Sequence, residues 1–354
     1  MASSLPSAQK FDRSIVEGPL AASVWKLAWP TMLQNVIAGL QGIIDHAMVG
    51  HFVGFTGNAA IGVSLQIFLV VIVFIASLFT GMAVLVARFA GAGDAEKVNR
   101  VVYQAFLTAF GLASFVLAPA GYFLSPYLLD VVHATPAVKE AALPFLRTMF
   151  VASHGMMLFF MLGGALRAAG DARTPLRLGI ATTLLNVVFN VVLIPGLGPI
   201  PQLGAFGAAL GTVSANLLVS AYAVTLVLSG RCVVRLPHNL SLKPDWTVIK
   251  SLFRLGLPTG LQGIAMNVAG VMLLRFIGSL DHSAEAQAAY AVGYAELFSL
   301  ITWTSVGLMG AASTVAGQNL GAGKPDRAAE GAWVAARIGL GVAGVLGTLF
   351  VLIP

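Results

Sequence analysis

In the stretch LQGIIDHAMVG, residues 40–50, a carboxylate interrupts an apolar run that begins near Leu27. Gln34, Gln41 and Asp45 fall at i, i+7 and i+11, which puts them on one face of a helix. Asn186 and Asn190, four residues apart, share a face of a second apolar helix, and Thr212, Ser214 and Asn216 add polar groups from a third. An ionisable group at membrane depth costs about 2.5–3.5 kcal/mol on insertion scales, so a chain that keeps one is expected to use it. A carboxylate among amide and hydroxyl oxygens suits a hard cation such as Na⁺, or a proton. The same Asn and Thr side chains would equally serve as hydrogen-bonding glue between helices. Glu296 is the other acid within a span, and it either faces a central space or pairs with a base such as Arg275. Asp45, Asn186, Asn190 and Thr212 are therefore the candidate cation- or proton-coupling residues. Gln34, Gln41 and Glu296 are the candidate lining of a substrate cavity.

The elements that must position these groups are membrane helices. Of the 354 residues, 58% are hydrophobic and 10% charged, with mean hydropathy +0.88. Soluble domains carry roughly 25% charged residues, so the chain reads as an all-α polytopic membrane protein. Nine segments hold the roughly 20 apolar residues that a bilayer requires: 24–52, 59–90, 101–123, 144–168, 174–195, 205–229, 254–279, 286–318 and 330–353. All but three of the 20 basic residues lie on one side of that alternation; the exceptions are Lys139, Arg147 and Arg275. The positive-inside rule then places the N-terminus in the cytoplasm of an inner (plasma) membrane protein, with the net charge of +6 facing inward rather than toward nucleic acid. At 1.5 Å of rise per residue, Asp45 lies roughly 13 Å below the outer surface. Asn186, Asn190 and Thr212 reach a similar depth, roughly 7–13 Å.

A single cysteine, Cys232, excludes an internal disulfide. No HExxH, GxSxG or CxxC constellation occurs, so neither catalysis nor a bound metal or cofactor is expected. The glycine-rich turns GAGDAEK and GAGKPDR follow membrane helices and lack a phosphate-binding Lys-Ser/Thr, so they read as turns with a helix cap. Arg147 and Lys139 read as interfacial anchors, and His154 as a hydrogen-bonded packing residue.

An internal repeat organises the chain. LAWPTMLQNV from Leu27 aligns with LGLPTGLQGI from Leu255, and FAGAGDAEK from Phe89 with NLGAGKPDR from Asn319, at offsets of 228 and 230. Helices 1–3 and 7–9 are thus counterparts running in the same sense, a parallel repeat about an axis along the membrane normal. The resulting division is a cytoplasmic segment 1–23, a six-helix N-lobe 24–230, a linker 231–250 and a partial, three-helix C-lobe 251–354. Helices 4–6 have no counterparts before Pro354, so the chain is expected to be a truncation or an unusual nine-helix form.

The stretches LAWPTMLQNV…GIIDHAMVGHFVG, LVARFAGAGDAEKVNRVVYQA, LRAAGDARTPLR…NVVFNVVLIPGLGPIPQLGAFGAALGT, RLGLPTGLQ and VAGQNLGAGKPDRA together resemble the multidrug and toxic compound extrusion (MATE) family from about residue 20 onward. The resemblance implies a twelve-helix antiporter of two six-helix lobes around a V-shaped cavity. Such a protein acts as a monomer in the lipid bilayer and expels small organic compounds, often cationic, in exchange for H⁺ or Na⁺. It assigns coupling to Asp45, with Asn186, Asn190 and Thr212 beside it. Asn stands at 190 where relatives with a defined cation site often carry Asp, and Met266 stands where one branch carries an acid. The first departure argues against strong Na⁺ binding, and the second leans toward the DinF-like branch with Asp45 as the principal protonatable group. A lipid-linked oligosaccharide flippase of the same wider superfamily is the rival, and it would want a larger, more basic cavity. A channel or receptor is a third class, with no need for two parallel repeats.

Overall fold

A computed structural model describes residues 11–235, 242–279, 290 and 298–352. The described residues form helices: α1 (Ser14–Glu17), α2 (Leu20–Phe52), α3 (Phe55–Gly91), α4 (Ala95–Leu112), α5 (Ala118–Val131), α6 (Pro136–Val151), α7 (Ser153–Ala168), α8 (Arg173–Leu193), α9 (Gly204–Leu228), α10 (Trp246–Gly278), α11 (Phe298–Gly321) and α12 (Pro325–Leu352). A π-helical turn, Ala113–Leu117, joins α4 to α5 without a break. Glu296 lies outside the described residues, as does the start of the eighth predicted segment.

Among the described residues, six units are long and apolar enough to cross a bilayer unaided: α3, α4 with α5, α8, α9, α10 and α12. The pair α6–α7, bent by 49° at Ala152, makes a seventh. The fourth predicted helix is therefore a broken span. His154 sits at the break, where Nδ1 meets Val151 O at 3.0 Å and Nε2 meets Ser114 Oγ at 2.8 Å. Both α2, with 33 residues, and α11, with 24, are long enough to span as well, about 50 and 36 Å. Polar residues lower their hydropathy, and the two helices pack along one another. Asn35 Nδ2 donates to Trp303 O at 3.0 Å across that seam.

The repeat is visible in the backbone. Helices α2 and α10 both run 33 residues and carry Pro30 and Pro258 at matching positions, where the missing N–H weakens the helix. Each glycine-rich turn closes the same way. Gly93 N donates to Ala90 O at 3.0 Å, and Gly323 N to Leu320 O at 3.1 Å, with φ of +76° and +73°. These left-handed residues cost a side chain about 1–2 kcal/mol and glycine nothing. The two turns also meet. A Cβ on Gly91 would strike the backbone of Gln318, and one on Gly321 the backbone of Arg88, so α3 and α11 cross at backbone contact. The pair α3–α10 crosses likewise through Gly81 and Gly256, against Leu252 and Ser77.

The larger core fills the first six spans, with Phe68 fully buried edge-on to Phe150 at 5.4 Å. A second cluster joins both repeats at the basic end of the bundle, where Ile15 of α1 packs with Leu20, Val24, Ala172 and Val315. At the opposite end, Lys139 pairs with Asp130 at 2.6 Å, and Arg147 donates to Tyr122 O at 3.2 Å while lying over its ring.

Candidate functional site

Helix geometry brings three separate elements to one polar point. The α2 face carrying Gln34, Gln41 and Asp45 packs against α8, and Gly211 of α9 lets Asn190 press onto its backbone. Asn190 Nδ2 donates to Asp45 Oδ1 at 2.6 Å. With its nitrogen on Asp45 Oδ1 at 3.0 Å, the Asn186 amide accepts from the Thr212 hydroxyl at 3.1 Å, which satisfies both of its ends and gives the carboxylate two donors.

Asn186 and Asn190 are fully buried, and Asp45 is half-buried. Among the described residues no Lys, Arg or His comes within ion-pair distance of Asp45. Asn190 Oδ1 is buried and accepts no hydrogen bond. A carboxylate with no cationic partner beside an orphaned acceptor is a place where a positive species has something to gain. Among the described residues no cluster of His, Cys, Asp and Glu could hold a metal ion.

The two glutamines occupy the same seam. Thr183 Oγ1 donates to Gln41 Oε1 at 2.9 Å, and Arg167 Nη1 to Gln34 Oε1 at 3.0 Å. Neither glutamine is among the walls of the cavity between the two repeats. That space, about 290 Å³, is walled by Leu27 and Thr31 of α2, Phe79 and Thr80 of α3, Arg167 of α7, and residues of α10 and α11. Sequence reasoning missed Thr183 and Arg167. Thr183 lies three residues before Asn186, so its place on the shared face was readable. Arg167 counts by sequence with the basic loops, yet it lies within α7 and its side chain turns inward.

Residues 30–192 and 258–354 match the family described as MatE. The chain belongs to the MatE family. Among its MatE relatives, a probable multidrug resistance protein NorM of Thermotoga maritima is 29% identical, over 85% of this chain and 63% of its own length. A probable multidrug resistance protein YoeA of Bacillus subtilis is 27% identical over 94% of this chain and 71% of its own. The chain thus spans a little under two thirds of the first relative and somewhat more of the second. The fold also matches a solved outward-facing structure of a multidrug resistance MATE transporter, with TM-score 0.86 at 20% identity, covering 98% of this chain and 74% of that one.

Proposed function

We propose that this MatE chain belongs to a secondary antiporter that exports small organic compounds in exchange for protons, with Asp45 as the coupling group. One observation carries the reading. A half-buried carboxylate with no ion-pair partner among the described residues sits on α2, the same helix whose Leu27 and Thr31 wall the space between the repeats. Charged, Asp45 accepts from the Asn190 and Asn186 amides. Protonated, it becomes a donor, so the Asn190 amide can turn its orphaned oxygen toward it and the α2–α8 seam repacks. The bend that Pro30 permits in α2 would pass that repacking to the inter-repeat space. The multidrug resistance names of relatives support export, and the basic loops support an inner-membrane protein with a cytoplasmic N-terminus.

Protons suit this site better than Na⁺. The amides turn N–H groups toward Asp45, whereas a hard cation needs a cage of oxygens. An inward proton supplies about 2.3 kcal/mol per 100 mV and about 1.4 kcal/mol per pH unit, enough for a tenfold gradient of exported compound. In proteoliposomes with an imposed pH gradient, the chain should drive ethidium movement that collapses with a protonophore and ignores sodium. Asp45→Asn should abolish this movement while the protein still inserts. Coupled movement at the wild-type rate in that variant would remove Asp45 from the mechanism.

A further inference from the structure

Among the described residues, the space between the repeats has one charged group on its walls, Arg167. Among the described residues its guanidinium makes one hydrogen bond, to the neutral oxygen of Gln34 at 3.0 Å. It also lies 5.8 Å from the centre of the Phe79 ring. No carboxylate of the described residues is within ion-pair distance of it. Asp45 is 14 residues beyond Thr31 on α2, about 21 Å along the axis, and is held by amides at that level. A guanidinium offers five N–H donors in a planar fork, and four of these have no hydrogen-bond partner among the described residues. The surrounding wall is apolar at Leu27, Val306 and Met309 but carries hydroxyls and an amide at Thr31, Thr80, Thr259 and Gln262. A cation without a counter-charge in such a recess gains from an anion that completes its hydrogen bonding.

We propose that this space is a binding subsite for an anionic group of the transported compound, a carboxylate or phosphate received by the free edge of the Arg167 fork. The hydroxyls of the recess complete the shell, and Phe79 and Met309 give the organic body an apolar seat. The proposal rests on the transport reading and adds organic anions or zwitterions to its substrate class. Its occupant need not neutralise Asp45, so a proton and an anion can be bound at once in different places.

The test uses two dyes built on one xanthene ring system, dianionic fluorescein and cationic rhodamine 6G, titrated by fluorescence anisotropy against the purified chain. Wild type should bind fluorescein. Arg167→Gln should weaken fluorescein at least tenfold, the scale of a charge-assisted hydrogen-bond pair, and leave rhodamine 6G unchanged or tighter. Arg167→Lys should retain part of the affinity. Gln34→Glu supplies an internal carboxylate to the guanidinium and should weaken fluorescein as Arg167→Gln does, even if the latter folds poorly. Equal fluorescein affinity in wild type and Gln34→Glu, or a wild type that binds rhodamine 6G and not fluorescein, overturns the proposal. This readout needs no gradient. Loss of the subsite with proton-driven transport intact sinks this inference alone, whereas anion binding without proton coupling sinks only the antiport reading.

Discussion

Asn190 bears on the proposed choice of ion, because it presents an amide nitrogen to Asp45 from 2.6 Å and keeps its own oxygen buried and unbonded. Replacing that nitrogen with oxygen should change the ion. Asn190→Asp would set two carboxylates at one point, which a bound cation relieves and which cannot both ionise otherwise. Transport by this variant should become sodium-stimulated, measured as dye movement with a sodium gradient at fixed pH. A variant equally indifferent to sodium would mean the oxygen set around Asp45 does not select the ion. Arg167 raises the same question with the sign reversed, since there the unsatisfied charge is positive.

At the scale of the element, helix ends carry the repeat. Asp94 caps α4 by accepting from Lys97 N at 3.0 Å, and its carboxylate pairs with Lys97 Nζ at 2.7 Å. The side-chain hydrogen bond from Lys97 is the main reason that this carboxyl titrates below its ordinary 3.8. A lowered value in the folded state means stability that is present above the ordinary value and lost as pH falls through the folded one. Asp94→Ala should therefore cost about 1 kcal/mol near neutrality. That deficit should shrink below about pH 4, whereas Asp94→Asn should keep most of the cap without the pH dependence. Thermal unfolding in detergent across pH reads both. A deficit constant with pH would show that the cap, and not the charge, does the stabilising. In the second repeat Lys324 stands opposite Asp94, and α12 starts instead with Pro325, which suits a helix start by lacking a free N–H.

At the scale of the molecule, α1 straps the two repeats together at the basic end. Asn319 Nδ2 donates to Ile15 O at 3.3 Å, Lys324 Nζ to Val16 O at 3.2 Å, and Arg327 to Gly18 O, so α11, α12 and the turn between them satisfy the open carbonyls at the end of this one-turn helix. Gln318 Nε2 also reaches Ala168 O at 2.9 Å. Ile15 is fully buried between the repeats. Ile15→Ala should cost about 2–4 kcal/mol and lower the melting temperature, and an unchanged melting temperature would show that the strap holds nothing. If the repeats rock against each other during transport, the same variant should loosen the basic end first, seen as faster thiol labelling of half-buried Cys232 nearby.

The order of apolar segments, their charge asymmetry and the 228–230 residue repeat follow from composition and spacing, because lipid leaves helices as the available way to satisfy the backbone. The shared faces of Asp45, of Asn186 with Asn190, and of Thr212 were legible for the same reason, since a 3.6-residue period puts i, i+4 and i+7 side by side. Which face meets which was not legible. The donor turned toward Asp45, the break at Ala152, the backbone crossing at Gly91 and Gly321, and the inward turn of Arg167 all depend on how helices distant in sequence pack. Hydropathy records only whether a residue prefers lipid, and not which neighbour it finds when it leaves it.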